Sequence, residues 1–294
     1  MSTSTGFDSQ STADDVTAGL DLRGSTWLIT GCNSGLGYES ARVLGARGAR
    51  IIGLARTRAK AADALGALGL EGDPVACDLG DLASVRAAAA TVRDLAPLDG
   101  LMANAGIMAL PALEQIGGIE RQFATNHLGH FALVQHLVDR LTDTGRVVLL
   151  SSGAHRLASR GLEIDNLSGE DDYDAWRMYG RSKLANILHA RSLAQRFAGT
   201  RRTANAVHPG VIETNLGRHV ADREAMYARF KPILKSIGQG AATQCYVAVR
   251  PEVDQISGAY FDNCAVAETL PAGRDDTLAE RLWQRSEALT GAAG

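Results

Sequence analysis

The chain contains 294 residues, of which 45% are hydrophobic and 21% charged, a composition typical of a folded protein with a large apolar core. Its net charge of -3 at pH 7 and its lack of a basic run give no electrostatic reason to expect nucleic acid or an anionic membrane as a partner. No apolar run of about 18 residues and no charged-then-apolar leader occur, so we expect neither a membrane span nor a secretory signal, and a cytoplasmic location.

The first segment, Met1 to Leu22, is rich in Ser, Thr, Asp and Gly and has only scattered apolar residues. Such a composition buries too little surface to offset the entropy lost on ordering. We therefore predict a disordered polar tail over residues 1–22, followed by a single domain over residues 23–294.

Beyond the tail, short apolar runs alternate with longer helical patterns, which is typical of repeated βα units around a parallel sheet. The predicted strands are Thr26–Thr30, Arg50–Ala55, Pro74–Cys77, Gly100–Asn104, Arg146–Ser151, Thr203–His208 and Gly258–Phe261. The predicted helices are Leu36–Arg47, Ala59–Leu68, Leu82–Leu95, Ile119–Leu141, Trp176–Phe197 and Gly240–Val249. This order predicts an α/β protein with a doubly wound, mostly parallel seven-stranded sheet and helices on both faces, the Rossmann fold.

The first turn between strand and helix carries three glycines, Gly31, Gly35 and Gly37. Glycines here permit a tight turn and a close approach of the backbone to a phosphate, which the N-terminus of the following helix attracts. The alternative is a glycine-rich loop without a ligand. Because the turn follows an apolar strand and opens a helix, the pattern favours a phosphate-bearing cofactor.

The end of the second strand indicates which ribose such a cofactor carries. An acidic residue there bonds the 2'-hydroxyl of NAD, whereas a basic residue accommodates the 2'-phosphate of NADP. Here Ala55 is followed by Arg56 and Arg58, with no carboxylate. These arginines could simply be solvated, but the missing acid favours NADP over NAD.

Farther along, Tyr179 and Lys183 stand four positions apart, on one face of a predicted helix. A nearby positive charge lowers the pKa of a phenol, so this pair can move a proton. Taken alone the spacing is common, and one boundary phenol beside a solvated lysine would also produce it.

Together, the glycine turn, Asn104-Ala105-Gly106, Asn126, Ser152 and Tyr179-x-x-x-Lys183 resemble the short-chain dehydrogenase/reductase superfamily. Further stretches are similar to its retinol dehydrogenase and WW-domain oxidoreductase branch. They are Asn33-Ser34-Gly35, the run from Asn126 to Phe131, the run from Ser151 to His155, Ser182 to Asn186, His208-Pro209-Gly210, the run from Ser257 to Phe261, and Leu282-Trp283. The likeness covers the chain except the tail.

The resemblance implies a role for each of four residues. Tyr179 would exchange the proton with the alcohol or carbonyl oxygen, while Lys183 would lower the pKa of Tyr179 and hold the nicotinamide ribose. Ser152 would donate a hydrogen bond to the same oxygen, and Asn126 would hold a water that connects Lys183 to solvent. Such a set is needed because the cofactor carries the hydride, whereas the oxygen's proton must be handled by the protein.

The resemblance also assigns a cofactor site. It places Asp78 at the adenine, and Pro209, Gly210 and Thr214 at the nicotinamide amide. Ala103 departs from the family, which usually has an asparagine there, so the wall beside it loses a side-chain hydrogen bond. The expected cofactor-binding set is Gly31, Asn33, Ser34, Gly35, Leu36, Gly37, Arg56, Asp78, Leu79, Asn104, Ala105, Gly106, Tyr179, Lys183, Pro209, Gly210 and Thr214.

Other chemically tempting residues have plainer interpretations. His127 and His130 could share a metal, but no carboxylate or cysteine stands beside them, so we expect packing and no metal site. His155 and His208 are expected to be structural, and the lesser alternative is that they line the site. The segment holding Met226, Tyr227, Phe230, Ile233 and Leu234 is either an amphipathic core helix or, as in the family, a cover over a hydrophobic substrate. The cysteines at 32, 77, 245 and 264 are widely spaced, so we expect buried, reduced thiols.

The favoured hypothesis is an NADP-dependent carbonyl reductase or alcohol dehydrogenase that interconverts a hydrophobic alcohol and its ketone or aldehyde. The alternative hypothesis is a nucleotide-binding regulatory or scaffold protein that has the same fold but catalyses no reaction. A methyltransferase with a glycine-rich loop would leave Tyr179 and Lys183 unexplained. The expected partner is a hydrophobic small molecule, and a homodimer or homotetramer remains open.

Overall fold

The computed structural model describes residues 6–292, so Met1–Thr5 and the last two residues, which belong to the predicted tail and domain, lie outside the described residues. Within this range the chain forms an eight-stranded sheet and two small two-stranded ladders. The strands are β1 Thr26–Thr30, β2 Arg50–Ala55, β3 Gly72–Ala76, β4 Leu98–Ala103, β5 Gln115–Ile116, β6 Ile119–Glu120, β7 Leu141–Leu150, β8 Thr203–His208, β9 Val211–Ile212, β10 Leu234–Lys235, β11 Tyr260–Asp262 and β12 Ala265–Val266.

The main sheet has the order β12-β11-β8-β7-β4-β1-β2-β3. Seven of its strands pair in parallel, as predicted, and the two-residue strand β12 adds an antiparallel edge to β11. The strand order reverses beside β1, whose neighbours are β2 and β4. In open α/β sheets the ligand binds at the carboxyl ends of the strands at such a reversal.

Between residues 6 and 292 the chain forms ten α-helices, of which the first precedes β1 and the last follows β12. They are α1 Ala13–Thr17, α2 Gly35–Ala46, α3 Arg58–Ala67, α4 Leu82–Arg93, α5 Arg121–Phe123, α6 Gly129–Leu137, α7 Ala175–Arg196, α8 Arg223–Phe230, α9 Ile237–Val249 and α10 Asp276–Thr290. None of the helices between residues 6 and 292 has the length and apolarity needed to cross a membrane.

Strand side chains alternate between two buried layers, because successive residues of a strand point to opposite faces. On β1, Trp27 and Ile29 pack with α1, α2, α3 and α9, whereas Leu28 packs with α4, α6 and α7. All three are nearly or fully buried. The doubly wound α/β architecture with helices on both faces is therefore confirmed.

The predicted helix over Ile119–Leu141 is wrong as a single element. The chain instead passes from strand β6 through the short helix α5 into a π-helical turn, Ala124–Leu128, then into α6, and strand β7 already begins at Leu141. The π turn keeps apolar side chains directed inward, so its periodicity resembles that of a continuous helix. Such turns frequently occur at functional sites.

The prediction of a disordered tail is wrong for residues 6–22. Thr12 caps helix α1 through a capping box with Asp15, and Ala13 and Val16 are fully buried in the core. Phe7 packs edge-on against Tyr246 with ring centroids 5.9 Å apart. Three apolar side chains at the right spacing are therefore enough to fix a segment that is otherwise polar.

Candidate active site

The glycine turn after β1 is built for close approach. Gly31 has φ +69, a left-handed conformation that favours glycine, and a Cβ there would lie 3.1 Å from the Cβ of Ala105. A Cβ on Gly37 would lie 2.5 Å from Nδ2 of Asn104. The turn therefore rests directly on the segment after β4, which leaves its outer surface facing a cleft.

That cleft has a volume of about 700 Å³ and lies at the carboxyl ends of β1, β2 and β4. Twelve of the residues predicted to bind the cofactor line it: Gly31, Asn33, Ser34, Gly35, Leu36, Arg56, Asp78, Leu79, Asn104, Ala105, Gly106 and Thr214. Gly37, Tyr179, Lys183, Pro209 and Gly210 do not line it. The glycine cradle and the size of the cleft fit a dinucleotide.

The wall at Asn104 and Ala105 is held firmly although Ala103 carries no amide. The backbone N–H groups of both residues donate to Oγ1 of Thr30, at 2.9 and 3.0 Å. Nδ2 of Asn104 donates to the Thr30 carbonyl at 2.9 Å. Thr30, the residue before the glycine turn, therefore fixes the geometry that the sequence left open.

One end of the cleft is strongly basic. Arg56 lines it as expected, and so do Lys60, Arg121 and Arg218 from three other segments. Burial lowers the pKa of Arg218, and the positive charges of Arg56 and Arg121 lower it further. Repulsion of this kind shows that Arg218 lies near the other two guanidinium groups, at a position suited to an anion.

Sequence reasoning missed Lys60, Arg121 and Arg218. Arg121 begins α5, and Arg218 lies in a 3-10 turn, Asn215–His219. No local pattern marks these residues, because only the fold brings their segments to the same cleft.

Tyr179 lies on α7 with 4% of its surface exposed. Burial raises the pKa of its phenol well above the usual value, and the nearby side chain of Ser152 partly offsets that rise. Ser152 follows β7 and caps the 3-10 turn Gly153–Leu157, where its Oγ accepts the N–H of Ala154 at 3.1 Å. The structure thus brings Ser152 and Tyr179 together.

Lys183 is buried one turn from Tyr179, with its Nζ 5.5 Å from the centre of the phenol ring. Nζ donates a hydrogen bond to the carbonyl of Leu150 at 3.0 Å. Burial lowers the pKa of Lys183 to about 7, so only part of the population is charged at neutral pH. The expected lowering of the Tyr179 pKa by this lysine therefore stays a prediction, since burial dominates both groups.

Asn126 is fully buried in the π turn. Its Oδ1 accepts the N–H of Ile107 at 2.8 Å, and its Nδ2 donates to the Ile107 carbonyl and to Oγ of Ser182, at 2.9 and 3.0 Å. Nδ2 of Asn186 donates both to the Asn126 carbonyl and to the Leu150 carbonyl, at 3.2 and 3.0 Å. Asn126 is thus joined to the acceptor of Lys183, while its expected role in holding a water stays a prediction.

His127 and His130 are buried, and neither ring forms a hydrogen bond with a carboxylate or a thiol. Nε2 of His127 bonds with Ser286, whereas His130 bonds with Thr30 and the Asn126 carbonyl. Burial lowers the pKa of His127 to about 3 and that of His130 to about 4. Over residues 6–292 no group of three potential ligands could hold a metal ion. The four cysteines are buried and unpaired.

A small apolar cluster packs around Tyr179. Met108, Ala109 and Tyr179 form its buried part, and partly buried side chains pack against them: Ala154, Ala175, Trp176, Leu216, Val220 and Met226. Met226 belongs to α8, where Tyr227 alone is buried, and Ile233 beyond it is 61% exposed. This exposure does not match an amphipathic core helix.

The strand order and the glycine cradle define a dinucleotide-binding α/β protein. The family model described as short chain dehydrogenase matches residues 25–225. The chain belongs to this family of oxidoreductases.

Relatives of known name support that assignment. The chain is 40% identical to short-chain dehydrogenase TIC 32 A, chloroplastic, of Brassica napus, over 97% of this chain and 94% of the relative. It is 38% identical to retinol dehydrogenase 14 of Homo sapiens, over 92% and 87%. It is 36% identical to the human WW domain-containing oxidoreductase, over 96% and 72%. The predicted branch is thereby confirmed.

Solved structures confirm the fold. A protein from Mycobacterium paratuberculosis superposes with a TM-score of 0.76 at 32% identity, over 94% of this chain and 97% of that one. A short chain dehydrogenase from Burkholderia cenocepacia J2315, in complex with NADP, has a TM-score of 0.67 at 26% identity, over 82% and 96%.

Proposed function

We propose that this short-chain dehydrogenase uses NADP to interconvert a hydrophobic alcohol and its ketone or aldehyde. The observation that carries the proposal is the arrangement of one cleft. Basic residues, the glycine cradle and Leu150, whose carbonyl accepts a hydrogen bond from Lys183, all line it. Leu216, which packs in the apolar cluster around Tyr179, lines the same cleft.

The basic end supports NADP over NAD. Arg56, Arg121 and Arg218 converge there, and of these Arg121 has an ion-pair partner in Glu114. A 2'-phosphate would accept charge-assisted, bidentate hydrogen bonds from guanidinium groups. The similar short chain dehydrogenase from Burkholderia, whose structure is a complex with NADP, is consistent with this preference.

When bound, the nicotinamide supplies or accepts the hydride. Tyr179 handles the proton of the substrate oxygen, and Ser152 donates a hydrogen bond to that oxygen. Because burial raises the pKa of Tyr179, its phenol is protonated at neutral pH and suited to donate to a carbonyl oxygen. Lys183 holds the ribose and, in its charged form, stabilises the phenolate that remains.

The apolar cluster around Tyr179 supports a hydrophobic substrate. Methionine, leucine, valine and tryptophan side chains pack around the one phenol, and Leu216 among them also lines the cleft, so the surroundings of the phenol favour apolar ligands. The name of retinol dehydrogenase 14 points in the same direction, since retinol is a largely apolar alcohol.

The test is to follow oxidation of reduced NADP by its absorbance, with a panel of aryl ketones, steroid ketones, retinaldehyde and aliphatic aldehydes. We expect turnover of at least one hydrophobic carbonyl. Tyr179→Phe should lower kcat by about 10² to 10⁴-fold, because the general acid is lost, while the affinity for NADP measured by fluorescence titration should stay nearly unchanged. A variant that retains more than about a tenth of the rate would contradict the proposal, given what a general acid usually contributes.

Cofactor binding without turnover of any carbonyl or alcohol would instead favour the rival function, a nucleotide-binding regulatory or scaffold protein. An enzyme and a scaffold protein would both bind the cofactor. Only the change in the absorbance of reduced NADP during the reaction distinguishes the two functions.

A further inference from the structure

Histidine side chains hold the peptide bond that follows Ser152 from both sides. Nδ1 of His155 lies 2.7 Å from the carbonyl oxygen of Ser152. The N–H of Gly153, which belongs to the same peptide bond, donates to Nδ1 of His208 at 2.9 Å. One histidine therefore contacts the C=O and the other contacts the N–H.

These contacts fix the proton positions on both rings. A backbone N–H always donates, so Nδ1 of His208 is the acceptor and its proton lies on Nε2. A carbonyl oxygen always accepts, so Nδ1 of His155 carries the proton, and its Nε2 accepts the N–H of Leu270 at 3.3 Å. The two histidines are neutral rings of opposite tautomer.

Close packing reinforces the two hydrogen bonds. A Cβ on Gly153 would lie 3.2 Å from Nε2 and 3.4 Å from Cε1 of His208, so the imidazole lies against the glycine. His155 is fully buried and meets the ring of Tyr260 edge-on, with centroids 5.1 Å apart. Neither ring can turn freely, which keeps both contacts in place.

We propose that His155 and His208 act as a clamp that positions the hydroxyl of Ser152 for the reaction. The proposal rests on the proposed function, in which Ser152 bonds the substrate oxygen. The clamped peptide fixes ψ of Ser152 and φ of Gly153, and the next N–H of the turn, that of Ala154, donates to Oγ of Ser152 at 3.1 Å. A rotated peptide would disturb this turn and move the hydroxyl away from the phenol of Tyr179, whose pKa it lowers.

The clamp also joins the serine to a second segment. The N–H of Gly210 lies 3.4 Å from the same Nδ1 of His208, and Gly210 belongs to the stretch expected at the nicotinamide amide. One imidazole nitrogen thus receives a hydrogen bond from the serine turn and one from the cofactor segment. The two histidines are positioning residues, because neither ring needs to contact the substrate.

The first test uses matched substitutions. His155→Leu and His208→Leu retain a branched side chain but remove the polar nitrogens, whereas His155→Asn and His208→Asn retain a donor or acceptor near the Nδ1 position. We expect the Leu variants to lower kcat between about tenfold and about a hundredfold, as a small misplacement of a catalytic group does. The Asn variants should recover most of that loss. His136→Leu, on a partly exposed ring far from the site, should leave kcat unchanged.

Affinity for NADP, measured by fluorescence titration, separates positioning from general damage. In His155→Leu the affinity should stay within about twofold of the wild type. Sites that share no partners are independent within about 0.3 to 0.5 kcal/mol, which corresponds to about twofold. A Leu variant with normal kcat, or an Asn variant as impaired as its Leu counterpart, would overturn the clamp.

A double-mutant cycle then asks whether the histidines act through Ser152. In the Ser152→Ala background the hydroxyl is gone, so His155→Leu should cost less than about twofold in kcat, against tenfold or more in the wild-type background. Equal costs in both backgrounds would overturn the proposal.

Nitrogen-15 NMR of the imidazole rings gives a readout that does not need turnover. We expect the Nε2–H tautomer for His208 and the Nδ1–H tautomer for His155 at pH 7. The reverse assignment for either ring would exclude the clamp. If the wild type lacks turnover while these tautomers are found, the proposed function fails and the clamp geometry stands.

Discussion

At the scale of single residues, the side chains at the end of β2 select between the 2'-hydroxyl of NAD and the 2'-phosphate of NADP. Ala55 is buried beneath the cleft, and Arg56 beside it is exposed at the cleft. A hydrogen bond from a guanidinium to a phosphate contributes roughly 1.5 to 3 kcal/mol, or about tenfold to a hundredfold in specificity. Converting Ala55 to an acid would both bond the free hydroxyl of NAD and repel the phosphate of NADP.

We therefore predict that the double variant Ala55→Asp, Arg56→Ala inverts the preference from NADP to NAD. The measurement is kcat/KM for both cofactors at one salt concentration, because salt screens the phosphate contact. Arg58→Ala is the matched control, since Arg58 is exposed and does not line the cleft. If the double variant still prefers NADP, the 2'-phosphate is bound by Lys60, Arg121 or Arg218 and not by Arg56.

Residues marked by a local pattern could be identified from the sequence, and those assembled by the fold could not. Tyr179 and Lys183 were singled out because one helical turn separates them, and Ser152 came from the family resemblance. For the histidines of the clamp only a structural role or a place in the lining of the site was expected, since nothing in the sequence says that His155 and His208 meet at one peptide bond. The pKa of Lys183 was also beyond the sequence, because it depends on burial.

At the scale of elements, the alternation of apolar runs predicted β1, β2 and β8 with the bounds that the structure shows. It failed where local geometry departs from regular periods. The π turn Ala124–Leu128 adds a residue to one turn, and β7 is longer than its apolar core because Leu141 already pairs with Leu98. Neither feature changes the hydrophobic pattern enough to be read from it.

Helix α1 is the element whose role differs most from the sequence prediction. It packs against α9 and α2, and Asp14 forms an ion pair with Arg42 of α2. Helix α9 directly follows the segment that carries α8 and Met226. The N-terminal segment therefore supports the helix that follows the segment carrying Met226, which packs in the apolar cluster around Tyr179.

We predict that Val16→Asp destabilises the protein, because it places a carboxylate where the side chain is fully buried. Detachment of the segment limits the loss to the docking energy of its two larger apolar side chains, Phe7 and Val16, or about 3 to 6 kcal/mol at about 1.5 to 3 kcal/mol each. The measurement is urea unfolding, with limited proteolysis to detect cleavage within residues 6–22. Ala18→Asp adds the same charge at an exposed position and should change stability little. Equal effects of the two substitutions would show that α1 does not stay docked.

At the scale of the whole molecule, the protein buries several histidines in neutral form. Burial lowers the pKa of His127 to about 3 and of His130 and His208 to about 4, and it lowers that of His189 well below its usual value. In the unfolded chain these groups titrate near about 6.5. As the pH falls below that value, the unfolded state takes up protons that the folded state does not bind.

The sign of the effect follows from this difference. The stability that the neutral histidines contribute is fully present above about pH 6.5 and is lost as the pH falls toward about 4, at about 1.4 kcal/mol per pH unit for each group. Carboxylates whose pKa is lowered by partners, such as Asp276 beside Arg191, titrate below this window. A loss in the free energy of unfolding between pH 6.5 and about 4.5 therefore measures the uptake of protons by the histidines on unfolding.

His189 offers the sharpest test of that account. Both of its ring nitrogens are buried without a hydrogen-bond partner among the described residues, and its ring lies against those of Phe131, His127 and Trp283 at centroid distances of 5.1, 5.7 and 5.9 Å. Phenylalanine fits such an aromatic cluster and cannot take up a proton. His189→Phe consequently removes one titrating group without breaking a hydrogen bond.

We predict that His189→Phe loses less stability than the wild type between pH 7 and pH 5, by about 2 kcal/mol for one group titrating below about 6.5. The measurement is the free energy of unfolding in urea at pH 7, 6 and 5, compared as a change with pH so that any packing cost of the larger ring cancels. His219→Phe is the control, because that ring is only partly buried and should leave the pH dependence close to wild type. Identical acid losses in His189→Phe and the wild type would mean that His189 is charged in the folded protein, or that its ring becomes solvated before the chain unfolds.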